Sequence, residues 1–277
     1  MSSHVAVDCA EHTLGGVSLA TGVSDVSIQH CRTSGLANLN GVSNVTIADS
    51  TLPNYIFLVN ARNVLIRRNS ISTGGVSITG GSNNQILDNE IDGGYHGHDL
   101  TGQGSDARGV DDGIVLSNTS DDIVQGNTIA NVFDAGIEGV DQVQRTTIAQ
   151  NRISNAIKAG ISSYWCTVWD GDVIRGNTVA QSLTLLWVVG GDGPGCTAPS
   201  PVTFFINGTT ITNNQLVDPL TGDKGPFASM GILIELAGMG NMLQGNDVGS
   251  EGIMVGPVEA FADGGGNVCG PQGNFHC

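Results

Sequence analysis

The chain has 277 residues, 41 of them glycine, and its ten Lys and Arg against 26 Asp and Glu leave a formal net charge of −16. That charge excludes nucleic acid and anionic membrane surfaces as partners, because either would be repelled before contact. An apolar content of 39% is too high for a disordered acidic tail, and the longest uninterrupted apolar run, from Leu185 to Val189, falls far short of the ~20 residues that cross a bilayer.

Aromatic residues make up only 5% of the chain. β-Branched residues set between Gly, Asn, Asp and Ser predict short strands and frequent turns, with no helical bundle. The start, Met1-Ser2-Ser3-His4, carries no apolar leader and is read as the start of a mature secreted chain. Six cysteines, Cys9, Cys31, Cys166, Cys196, Cys269 and Cys277, contain no CxxC. They read as disulfides of an extracellular or periplasmic protein. Near-neighbour pairing would join Cys9 to Cys31, Cys166 to Cys196 and Cys269 to Cys277, among fifteen connectivities that six cysteines allow.

A unit of the form I-x-x-N-x-I, with Val or Leu replacing Ile, recurs along the chain: Ile66 to Ile71 around Asn69, Ile86 to Ile91 around Asn89, Val124 to Ile129 around Asn127. Asn151, Asn177, Asn214 and Asn246 continue the slot, and Cys31 and Ser50 fill it in two earlier copies. By subtraction the slots lie 19, 19, 20, 38, 24, 26, 37 and 32 residues apart. Ahead of most copies stands a Gly-Ile or Gly-Val pair, at Gly75, Gly113, Gly136, Gly160, Gly231 and Gly252. Units of this length are too short for propeller blades and lack a Leu-rich horseshoe consensus. They fit the rungs of a parallel β-helix, in which each strand pairs with its equivalent one rung along. The repeated Asn reads as an internal amide ladder at a corner, where Asn tolerates a left-handed backbone.

These repeats, from about Val5 to Val268, resemble the right-handed parallel β-helix proteins of the pectin-lyase-like superfamily. The resemblance implies one all-β domain over 1–277, a single-stranded right-handed solenoid of about ten coils with loop insertions. The superfamily includes polysaccharide lyases, glycoside hydrolases, uronate epimerases, tailspikes and adhesins, so the fold leaves the reaction open. In this geometry Cys9 and Cys31, 22 residues apart, fall on adjacent coils within disulfide range, and Cys269 with Cys277 would close the C-terminal end.

Departures from the repeat mark where chemistry could sit. The 38-residue gap ending at Asn127 holds Tyr95, His98, Asp99 and Arg108 ahead of Asp111-Asp112, and further loops are expected near 190–200 and 219–227. Two residues before the Gly-Ile pairs stand Asp111, Asp134 and Lys158 on successive rungs. If Ile points inward, alternation sends the glycine and every second residue outward. The next outward column then holds Ser77, Val115, Glu138, Ser162, Leu233 and Met254, with Tyr164 and Glu235 beyond it.

One face is therefore expected to carry Asp111, Asp134, Glu138 and Lys158 as catalytic groups. Asp111, Asp134, Glu138 and Asp141 are the candidate calcium ligands, and Arg108, Asp112, His98, Tyr164, Trp165, Trp187 and Glu235 are candidate substrate contacts. Trp165, Trp169 and Trp187 lie within 23 residues, and exposed aromatics pack on the C–H faces of sugars. Carboxylates at rung spacing either share a cation or hold a proton. The first case suits a calcium-assisted uronate lyase or epimerase with Lys158 as base, slightly favoured because the lysine stands in the column. The second suits an acid/base hydrolase, and Asp111-Asp112 with Asp134 resembles the first part of the polygalacturonase pattern. Its later Gly-His-Gly and Arg-Ile-Lys segments are absent, as is the Asp-Pro-His of alginate-type epimerases. A non-catalytic glycan-binding or adhesin-like surface protein is the alternative outside enzymes. His96-Gly97-His98-Asp99 lacks the ligand spacing of a zinc site.

Overall fold

A computed structural model describes residues 4–34, 37–95, 109–163, 167–188, 206–220 and 230–277. Every strand pairing it shows is parallel and joins equivalent positions of neighbouring coils. Each coil crosses three faces. The first holds Ile114–Ser120, Ala135–Gln144, Ala159–Ser163, Thr184–Val188 and Met230–Ile234. The second holds Ile123–Gln125, Thr147–Ala149, Val173–Arg175, Thr210–Thr212 and Asn241–Gln244. On the third lie Thr128–Val132, Arg152–Ala156, Thr178–Ala180 and Gln215–Val217. This is the expected β-helix. No helix among the described residues is long and apolar enough to cross a membrane.

In-register stacking turns the two-residue strand period into three inward columns. Ile56, Val76, Ile114, Ile137, Ile161, Leu186, Ile232 and Ile253 form the first. Ile47, Ile66, Ile86, Val124, Ile148, Ile174, Ile211 and Leu243 form the second. The third runs Leu52, Ile71, Ile91, Ile129, Ile153, Val179, Leu216, and all three are buried. A fourth stack, Leu58, Ile78 and Leu116, stops at Gly139. There the Trp169 ring enters, and a Cβ on Gly139 would lie 2.4 Å from it. Trp169 is thus a core residue, whereas Trp187 is half-buried on the outward side of its strand.

The asparagine slot is a continuous ladder of buried amides. Each Nδ2 donates to the next Oδ1 from Asn69 through Asn89, Asn127, Asn151, Asn177, Asn214 and Asn246, at 2.9–3.0 Å. Asn246 passes it on at 3.1 Å to Asn267, a further copy. Each Oδ1 also accepts the backbone N–H of the preceding ladder residue. The left-handed backbone falls one residue earlier than expected, at Arg68, Asp88, Gly126, Gln150, Gly176, Asn213 and Gly245. The turn is made before the slot, leaving the Asn free to point inward.

A second polar ladder occupies another corner: Asn84 N–H donates to Asp122, Thr146 N–H to Asp172, and Thr209 N–H to Asn241. Burial pushes Asp122 up to about 6 and Asp172 up to about 8. Cys9–Cys31 and Cys269–Cys277 are disulfides with Cα atoms 4.8 and 5.8 Å apart; Cys166 and Cys196 lie outside the described residues. The 38-residue spacing is a single coil, since Glu90–Asp92 pairs directly with Thr128–Ala130. Its excess length, 96–108, and the loops expected near 190–200 and 219–227 also lie largely outside the described residues.

Asn151 makes four side-chain hydrogen bonds, with Asn127 N, Asn127 Nδ2, Val124 O and Asn177 Oδ1. Asn151→Ala strands buried partners and should cost about 3 kcal/mol or more in urea unfolding. Asp172 keeps a buried Oδ2 without a partner. Its raised pKa means the folded state binds the extra proton, so its contribution to stability is complete below about pH 4 and is lost as pH rises through about 8. Asn fills the equivalent positions at Asn84 and Asn241. Asp172→Asn should therefore raise stability by about 1–3 kcal/mol at pH 9 and by little at pH 4, as read from melting curves at both pH values.

Candidate active site

The first face carries the charged groups because three consecutive coils place acidic or basic residues at its N-terminal corner. Backbone hydrogen bonds fix the order: Asp134 N–H donates to Asp111 O at 2.6 Å, and Lys158 N–H to Asp134 O at 3.1 Å. Asp111, Asp134 and Lys158 thus stack as the repeat predicts. The neighbouring outward column also matches: Phe57, Ser77, Val115, Glu138, Ser162, Trp187, Leu233 and Met254 lie in register.

The side chains that meet differ from the expected set. Asp112, Asp134 and Glu138 each present an oxygen within 4.8 Å of the others. Asp111 is exposed and acts on Asp112 only through its charge. The reason lies at the corner, where alternation breaks. A Cβ on Gly113 would strike the Ile129 side chain at 2.5 Å, and one on Gly136 the Ile153 side chain at 2.4 Å, so these glycines face the core instead of solvent. Asp112 instead turns its Oδ1 to the Ala135 N–H, at 3.1 Å, beside Glu138.

Asp141 is also outside the cluster, exposed and accepting from Asn118 Nδ2 at 2.9 Å. Glu235 is half-buried at a strand end three coils beyond the Glu138 strand, with its N–H on Val188 O. Trp187 is half-buried in the Glu138 column, two coils on. His98, Arg108, Tyr164 and Trp165 lie outside the described residues.

Lys158 Nζ forms an ion pair with Asp134 Oδ2 at 2.5 Å and stands 5.5 Å from the centre of the Phe133 ring. Glu138 and Asp112 are both buried. Burial, then repulsion between the carboxyls, pushes both well above the ordinary carboxylate range, Glu138 further than Asp112. A hydrogen bond between them raises Glu138 further and lowers Asp112. Lys158 counteracts the rise at Glu138 weakly.

Two aromatic residues that the repeat pattern did not mark complete the site. Tyr55 donates its hydroxyl to Asp112 O at 2.8 Å and stacks on Phe57, centroids 5.5 Å apart and rings 19° from parallel. This coil has Tyr55 where the next has Gly75, so it lacks the Gly-Ile marker. Counting back 12 positions from the Asn slot, as for Ser77 and Asn89, would have found Phe57 from Asn69.

Asp112, Asp134 and Glu138 are the group among the described residues whose oxygens could converge on a cation. Of the four expected calcium ligands, Asp134 and Glu138 belong to it, and Asp111 and Asp141 do not.

A family model described as "Right handed beta helix region" matches residues 16–216. Among curated proteins none matches the sequence. Among solved structures, the surface adhesin PfbA of Streptococcus pneumoniae is similar with a TM-score of 0.60 at 14% identity, over 91% of this chain and 69% of its own. The Dettilon tailspike protein is similar at 0.51 and 18%, over 95% of this chain, which spans 58% of the tailspike. DFA-IIIase from Arthrobacter chlorophenolicus A6, solved with DFA-III, is similar at 0.52 and 10%, over 95% of this chain and 63% of its own. At these identities the likeness is one of fold.

Removing the Lys158 charge tests the electrostatics directly. In Lys158→Met, carbon-detected NMR of labelled Glu should show the Glu138 titration moving to higher pH, since the opposing cation is gone.

Proposed function

We propose that this chain, which belongs to the right-handed β-helix family, is a glycoside hydrolase acting by general acid and base at Glu138 and Asp134. The observation that carries the reading is three carboxyls from two consecutive coils, each with an oxygen within 4.8 Å of the others, with Glu138 buried among them and its pKa raised by that burial and by its neighbours' charge. Glycosidic cleavage asks for that asymmetry, an acid for the leaving oxygen and a carboxylate for water.

In this scheme Glu138 gives its proton to the glycosidic oxygen as the bond to the anomeric carbon breaks. Water adds to that carbon and its proton passes to Asp134, the more open carboxylate, whose side chain is 27% exposed. Asp112 is a positioning residue: its charge and hydrogen bond keep the proton on Glu138 until substrate arrives. Lys158 holds Asp134 in place. An ammonium so engaged is a poor proton abstractor, which supports hydrolysis over the lyase or epimerase expected from its position in the column. Disulfides at Cys9–Cys31 and Cys269–Cys277 support work in an oxidising, extracellular or periplasmic place. Among the structurally similar proteins, DFA-IIIase was solved with DFA-III, which supports a carbohydrate ligand, whereas PfbA is a surface adhesin.

Reducing-end release from a panel of polysaccharides tests the reading. Glu138→Gln should lower kcat by about 10²–10⁴-fold. The wild-type rate should fall with rising pH only above the ordinary carboxylate range, as Glu138 loses its proton, and chelation of calcium should leave it unchanged. Release of unsaturated uronate products, or loss of activity in EDTA, would restore the lyase reading. Glycan binding without release of any product would favour an adhesin-like role.

A further inference from the structure

The outward column beside Glu138 changes character on either side of the acid. Toward the N-terminal end it runs Val115, Ser77 and Phe57, all half-buried, with Tyr55 stacked on Phe57. Tyr55 spans two coils to hydrogen-bond Asp112 O, so the aromatic pair reaches back to the carboxyl cluster itself. Toward the C-terminal end the next residue is Ser162, in register with Glu138 and 5% exposed. Its Oγ is buried without a hydrogen-bond partner among the described residues. Such a hydroxyl costs about 1–3 kcal/mol if nothing ever pairs with it, which is expected where a ligand supplies the partner.

We infer that Tyr55, Phe57, Ser77, Val115 and Ser162 form the subsites of an uncharged glycan, with the Tyr55–Phe57 pair as the sugar platform and the Ser162 hydroxyl as a hydrogen-bonding partner across the acid. The rungs are spaced by about 4.8 Å, close to the length of one sugar residue along a chain, so a glycan lying along the column meets a new side chain with each residue. The aromatic pair offers apolar faces to sugar C–H groups.

The uncharged class follows from the electrostatics of the same strip. None of Phe57, Ser77, Val115, Ser162, Trp187, Leu233 and Met254 is a cation. The ammonium closest to hand among the described residues, Lys158, is already paired with Asp134. A uronate would set its carboxylate beside Asp112, Asp134 and Glu138 on a chain of charge −16, with no cation on the strip itself and Lys158 already engaged.

This assignment rests on the hydrolase reading for the position of the acid, but its test needs no turnover. In a Glu138→Gln background, calorimetry would measure binding of short cello-, xylo-, galacto- and fructo-oligosaccharides beside oligogalacturonate of the same length. At least one neutral oligomer should bind at millimolar concentration or tighter, and oligogalacturonate should bind more weakly than it. Adding Phe57→Ser, the residue of the next coil, should weaken the neutral ligand by about tenfold, worth ~1.4 kcal/mol. Ser162→Ala should weaken it several-fold, with circular dichroism and melting curves confirming an intact fold. Tighter binding of oligogalacturonate, no neutral ligand at all, or unchanged affinity in both added variants would overturn the assignment. If binding behaves as expected while the wild type releases no product, the subsites stand and the hydrolase reading falls.

Discussion

Everything in this molecule depends on the in-register stacking of one coil on the next. A parallel sheet alone does not fix register strongly, because a slip by two residues would keep the apolar face inward. The asparagine ladder removes that freedom. An amide offers a donor and an acceptor at fixed geometry, and a slipped coil would leave buried amides at Asn89, Asn127 or Asn151 unpaired, with a cost for each. The ladder thus specifies the register that the isoleucine columns only favour. The Cys9–Cys31 disulfide ties the same relation covalently at the N-terminal coils, with Cys31 and Ser50 standing in the slot where the amides stop.

Register is also what makes a site possible. Residues 24 apart, such as Asp134 and Lys158, become neighbours because their coils stack without slip. Asp112 reaches Glu138 for the same reason, through the N–H of Ala135 on the following coil. A solenoid brings side chains together along its axis at the strand spacing, so Asp112 of one coil meets Asp134 and Glu138 of the next. Protonation or a counter-charge relieves such crowding: the pKa values of Asp112 and Glu138 are raised, and an ammonium pairs with Asp134.

Much of this was legible in the sequence, and the rest was hidden for definable reasons. The period, the Asn slot and the outward column from Ser77 to Met254 follow from repeat spacing, because parallel stacking converts equivalent sequence positions directly into spatial neighbours. Alternation favours Asp111 over Asp112 only if it runs through the corner, where Gly113 and Gly136 turn their missing side chains to the core. Tyr55 and Phe57 escape the pattern because their coil replaces the Gly-Ile marker. The pattern alone puts the left-handed residue on the Asn, whereas the residue before it makes the turn and leaves the amide pointing inward. The second ladder through Asp122 and Asp172 has no single residue type at its slot, so no pattern announced it.

That second ladder sharpens the meaning of the carboxyl cluster, since burial raises the proton affinity of Asp122 and Asp172 as it does that of Glu138. Burial is therefore no mark of function on its own. The difference lies in what the carboxyl faces. Asp122 and Asp172 each accept a backbone N–H, from Asn84 and Thr146, donors that cannot move without breaking the coil. Glu138 faces other titratable side chains, Asp112 and Asp134 on one side and Lys158 on the other. A buried acid clamped by backbone serves register. One whose partners are themselves side chains, beside a half-open column, is the kind of group on which the proposed acid role rests.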